Sequence, residues 1–81
     1  MKRSTRRRRN PAESAWATIE YIRPGHAIVE VRTTNGRFLG SEHLQVGGPR
    51  WKGDLYELGY RNAGIRAGAH GLELTRFRVA T

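Results

Sequence analysis

Two places in the sequence concentrate side chains able to grip an anion. Arg76 and Arg78 stand two positions apart in the closing stretch "GLELTRFRVAT", and Arg6, Arg7, Arg8 and Arg9 form an unbroken run near the start. A guanidinium offers a planar fork of donors that meets carboxylates and phosphates bidentately, where a lysine offers only a point charge. Arginine in these patterns therefore points to acidic partners, either a carboxylate-rich protein surface or nucleic acid. Catalysis has much less support. No nucleophile is paired with a base, no two carboxylates stand out, and His26, His43 and His70 show no metal-ligand spacing. No enzyme activity, cofactor or metal is expected. The glycines beside Arg50 and Lys52 in "GGPRWKG" lack the frame of a phosphate-binding P-loop.

A strand must position the closing pair. Leu, Thr, Phe and Val suit a pleated surface, and alternation then puts Arg76 and Arg78 on one side, roughly 7 Å apart. The apolar residues around them disagree about which face is inside: Leu72 and Leu74 share one, Phe77 and Val79 the other. Either both faces are covered, or a bulge near Thr75 switches the core-facing side and sends both arginines to solvent together. Earlier in the chain "AWATIEYI" alternates, with Ala15, Ala17, Ile19 and Tyr21 opposite Trp16, Thr18, Glu20 and Ile22. "RPGH" has Pro then Gly at the centre of a type II turn, and "AIVEVRT" returns as a second strand with Ala27, Val29 and Val31 on one face. Asn35-Gly36 is a hairpin signal, so Arg37 to Gly40 can add a short third strand. Eight of the ten glycines lie from Gly40 to Gly71. Residues 40–53 read as a Gly-rich loop anchored by Trp51. Asp54 is the expected N-cap of a helix with Leu55, Leu58 and Ile65 near one stripe, although Gly59 and Gly64 each cost about 1 kcal/mol relative to Ala.

The fold class that follows is α+β: a small three- to four-stranded, mostly antiparallel sheet with one helix packed on one face, in β-β-α-β order. The 81 residues have room for one domain. Its expected limits are residues 15–81, preceded by a basic tail, residues 1–14, that charge repulsion should keep disordered. That tail holds six basic residues and one acid, 6 − 1 = +5 of the formal net charge of +8. The chain has no cysteine, so disulfides and thiolate metal sites are excluded. No apolar run approaches the ~20 residues that span a bilayer, which argues against a membrane partner and leaves the cytoplasm as the expected location. Trp16 is expected to be buried against the helix or the Gly-rich loop, as large aromatics carry most of a small core.

"WATIE" at Trp16 to Glu20, a hairpin, one helix, and then "GLELTRFR" at Gly71 to Arg78 resemble the small early protein of T-seven-type phages that shuts off host RNA polymerase. The resemblance implies binding to the jaw of the bacterial polymerase β′ subunit, entrapment of the promoter-recognition factor, and a block to open-complex formation. It would operate in the host cytoplasm. That family's important arginines lie in a Thr-Arg-x-Arg arrangement, matched here by Thr75, Arg76, Phe77 and Arg78, so Glu73, Thr75, Arg76 and Arg78 become the expected partner-binding residues. The Arg-rich tail and the Gly-rich segment depart from that family. An alternative is a nucleic-acid-binding protein, with Arg6 to Arg9 neutralising phosphates and the sheet positioning bases. A phage inhibitor of another host complex, such as a CRISPR surveillance complex, is a third. Arg76 and Arg78 also fit an ordinary solvated edge strand.

Overall fold

The structure is a computed structural model and describes residues 13–80. Four strands and one helix follow in the order β1 (Ala15–Arg23), β2 (His26–Thr33), β3 (Phe38–Gln45), α1 (Trp51–Ala69) and β4 (Leu74–Val79). The strands form one sheet in the order β3-β2-β1-β4. Two of its pairings are antiparallel, and β4 runs parallel to β1. The α+β class holds, with the helix on one face of the sheet. The element order contains one strand more than the expected β-β-α-β.

That strand is the short third strand expected at Arg37 to Gly40, but it begins at Phe38 and continues to Gln45, into the segment read as a Gly-rich loop. Residues 38–45 pair along β2 from Arg32↔Phe38 to His26↔Gln45, although "FLGSEHLQ" contains no β-branched residue. The ladder with β2 supplies what local propensity does not. A register shift between Val31 and Arg32 sends Leu39 into the core while Phe38 stays on the other face, 53% exposed. The helix likewise begins earlier than expected. Its N-cap is Arg50, without a side-chain cap bond, and Asp54 lies in the first turn, where its charge favours the positive end of the helix dipole. Trp51 opens the helix instead of anchoring a loop, and its ring meets Tyr21 edge-on at 5.9 Å.

The first hairpin follows the sequence reading. Ala15, Ala17 and Ile19 in β1 and Ala27, Val29 and Val31 in β2 are all buried, and Gly25 takes the positive φ of 83° that the turn requires. Small residues on this face let α1 lie close. The helix buries Leu55, Gly59, Ala63 and Ala67, a stripe with a spacing of four. Gly59 is the point of closest approach: a Cβ there would stand 3.0 Å from Val29 Cγ2, 3.2 Å from Ile19 Cδ1 and 3.3 Å from Phe77 Cζ. The glycine that weakens the helix locally is the one that admits it to the sheet. Ile65 does not join this stripe and is 64% exposed, because the contacting face runs through the small residues instead. No described helix is long and apolar enough to cross a membrane.

Candidate interface on the open face of the sheet

The helix covers one face of the sheet, and the sequence places a different set of side chains on the other. Along β1 that set begins with Trp16 and Thr18, and along β2 it includes Glu30 and Arg32. Trp16 is 39% exposed, which corrects the expectation of burial against the helix or loop. The reason is strand alternation: Ala15 and Ala17 take the helix side, so Trp16 between them points away.

β4 reaches the same face through a bulge. Leu74 pairs with Ala15 but Arg76 pairs with Trp16, so Thr75 is the extra residue. Its hydroxyl lies 2.7 Å from Ser14 Oγ and 3.4 Å from the carbonyl of Ala15. The bulge resolves the conflict in the sequence: Leu72, Leu74 and Phe77 all pack against the core, while Arg76 and Arg78 align beside Trp16 and Thr18. Among the described residues neither arginine forms an ion pair. Glu73 is exposed and sits before the strand, where its main-chain carbonyl accepts a hydrogen bond from the Ala15 N–H at 2.9 Å. Arg6, Arg7, Arg8 and Arg9 lie outside the described residues.

Register turns these separate residues into a row. Phe38 of β3 is opposite Arg32 of β2, Arg32 is opposite Trp16 of β1, and Trp16 is opposite Arg76 of β4. Ring and guanidinium thus alternate across all four strands, with neighbours about 4.8 Å apart. The Arg76 guanidinium carbon lies 4.2 Å from the centre of the Trp16 ring, and that of Arg32 lies 5.3 Å from the Phe38 ring. Such contacts are each worth roughly 0.5–1 kcal/mol at exposed sites. They hold the long arginine side chains against the sheet, and of the two only Arg76 is without an ion pair among the described residues. A second row runs Ser41, Glu30, Thr18, Arg78. Here Glu30 is ion-paired with Arg32, and Arg32 Nη1 donates to the carbonyl of Gly36 at 3.2 Å.

Two shallow clefts flank Trp16. One, of about 360 Å³, lies toward β2 and is lined by Thr18, Glu30, Arg32 and Thr33 as well as the indole. The other, of about 290 Å³, lies toward β4 and is lined by Arg76, Arg78 and Val79. At the far end of the sheet His26 and His43 stack with their rings 5.2 Å apart and Nδ1 of the first 3.1 Å from Nε2 of the second. Among the described residues no group of three or more histidines, cysteines or acids is arranged to hold a metal.

Of the residues expected to bind a partner, Arg76 and Arg78 share one face and Thr75 makes that placement possible. Glu73 is not part of the row. Trp16, Arg32 and Phe38 were not anticipated as site residues. Alternation already separates Trp16 from the Ala-rich face, but its alignment with Arg32 and Arg76 depends on pairings that no single strand encodes. No protein-family model, curated protein or solved structure matches the chain.

Proposed function

We propose that this protein binds single-stranded nucleic acid on the open face of its sheet. The observation that carries the reading is the row Phe38, Arg32, Trp16, Arg76. Exposed rings on a sheet are stacking platforms for unpaired bases, and Arg76, which lies beyond Trp16 in the row and forms no ion pair among the described residues, attracts a neighbouring phosphate. Two rings two strands apart stand about 10 Å from one another at ordinary strand spacing, room for successive nucleotides to splay across the sheet. Arg78 extends the cationic side along β4. The charge of +8, concentrated near the start of the chain, adds an attraction for phosphates that does not depend on sequence.

The reading is tested by fluorescence anisotropy with labelled single-stranded DNA and RNA, titrated at several salt concentrations. Binding should weaken with salt, log K falling by about 0.7 per decade of salt for each phosphate neutralised on a single strand. Removing residues 1–12 should flatten this dependence, while the double variant Trp16→Ala, Phe38→Ala should lower affinity at every salt concentration. Equal affinity of the double variant and the wild type would refute stacking on this face. Absence of binding at low salt would refute the function.

A second reading is supported by one observation, the Thr75 bulge that aligns Arg76 and Arg78. A rigid pair of forks also suits an acidic protein surface, and the proposed target is bacterial RNA polymerase at the β′ jaw, with inhibition of initiation as the outcome. Promoter transcription by purified holoenzyme should then be inhibited by the wild type and not by folded Arg76→Glu or Arg78→Glu. An uninhibited polymerase, or inhibition unchanged in both variants, rules this reading out.

A further inference from the structure

The two clefts beside Trp16 differ in chemistry. The one toward β4 is lined by Arg76 and Arg78 and no acid. The one toward β2 contains a single carboxylate, Glu30, in the row next to that of Trp16 and across from Thr18. This carboxylate is held in place: Arg32 Nε binds its Oε2, and Arg32 is itself tied to the Gly36 carbonyl. Oε1 accepts no hydrogen bond among the described residues. An acid on a surface that binds phosphates is costly unless it has a specific task. Beside a stacking ring, that task is to meet donors on the edge of a base.

We infer that Glu30 makes the open face selective for guanine, an inference that rests on the single-stranded nucleic-acid reading. A base stacked on Trp16 over the β2 cleft turns its Watson–Crick edge toward Glu30. Guanine alone offers two adjacent donors there, N1–H and the N2 amino group, which match the two oxygens of a carboxylate. Adenine and cytosine each place an acceptor beside their one donor group, and thymine or uracil sets its single N–H between two carbonyls. In each of those cases a carboxylate meets a repelling lone pair. Oε2 retains a second lone pair while bound to Arg32, so both oxygens remain able to accept. Arg32 also offsets the negative charge that would otherwise oppose the phosphates. The cleft toward β4 then receives the phosphate, and Trp16 divides base from backbone.

The test uses the full chain and four fluorescein-labelled ten-nucleotide DNA strands: all thymidine, or thymidine with one central guanine, adenine or cytosine. Anisotropy at fixed salt should show the guanine strand bound about tenfold more tightly, within the discrimination of a good bidentate base contact. In the Glu30→Gln variant, with its fold checked by circular dichroism, the four strands should bind within about twofold of one another, since an amide supplies only one acceptor. Equal affinity of the wild type for all four strands overturns guanine selection and leaves the stacking reading intact. A guanine preference that survives in Glu30→Gln assigns selection elsewhere and overturns the role of Glu30. Failure of every strand to bind refutes the underlying reading and the inference with it.

Discussion

Replacing Trp16 by alanine separates the burial of the indole from its proposed role in binding. The residue is 39% exposed, so about three-fifths of the 150–250 Å² that a large aromatic can bury is covered. That is roughly 90–150 Å², worth about 2–4 kcal/mol at 25 cal/mol/Å². An extended-chain reference overstates burial by roughly 10–40%, which brings the figure near 2 kcal/mol. Loss of the stacked Arg76 adds about 0.5–1 kcal/mol. A domain of this size loses about 4–8 °C of melting temperature per kcal/mol, so Trp16→Ala should melt about 10–20 °C lower than the wild type and remain folded at room temperature. A fully buried tryptophan would cost about 3–5 kcal/mol. Thermal denaturation followed by circular dichroism provides the measurement, and binding is then compared well below both transitions. There the variant should lose about 1–3 kcal/mol of affinity for a single strand, the worth of one stacked base. A melting temperature within about 2 °C of the wild type would mean that the indole covers almost nothing. A chain that fails to fold would mean that it belongs to the core, and either result refutes the geometry of the row.

Two further predictions concern the helix and the histidine pair. Gly59→Leu should destabilise by about 1–3 kcal/mol through overpacking against Val29, Ile19 and Phe77, whereas Gly64→Ala, where a Cβ meets nothing within 4 Å, should stabilise by about 1 kcal/mol; urea unfolding of both variants decides, and a stabilised Gly59→Leu would contradict the close approach. The His26 imidazole is held below its ordinary pKa of 6.5 by partial burial, then by Arg23 and by His43, so its protonation is disfavoured in the folded state. The resulting stability is fully present above pH 6.5 and is lost as pH falls through the lowered value; His26→Gln should lessen the decline in urea midpoint between neutral and mildly acidic pH, and an unchanged decline would place its origin elsewhere.

The first hairpin was legible because alternation, the Pro-Gly turn and a small-residue face all agreed. The closing strand was legible as a choice, since its apolar residues change sides around Thr75 and only two arrangements can satisfy them. β3 was legible only at its start, where Asn35-Gly36 marks the hairpin; its extension to Gln45 was not, because its residues have weak strand preference and the shift at Leu39 breaks their alternation. The helix start was missed because Arg50 caps it without a side-chain bond. For the candidate interface, the arginine pair could be found from spacing within β4. The alignment of Arg32, Trp16 and Arg76 could not, since it is a property of register between strands and a shift of one residue would turn a strand's side chains to the other face.

The parallel pairing of β4 with β1 also sets an order of events during synthesis. Trp16 and Arg76 are direct partners although 76 − 16 = 60 positions separate them. β1, β2 and β3 can pair as soon as each has left the ribosome, through short connections, while β4 must wait until the helix and its own residues have emerged and then close a long loop. Until that moment Trp16 faces an unpaired sheet edge, with Arg32 on one side and no Arg76 on the other. A chain interrupted before β4 therefore presents three of the four residues of the row and lacks both arginines of the β4 cleft, so the row is complete only once β4 has been made.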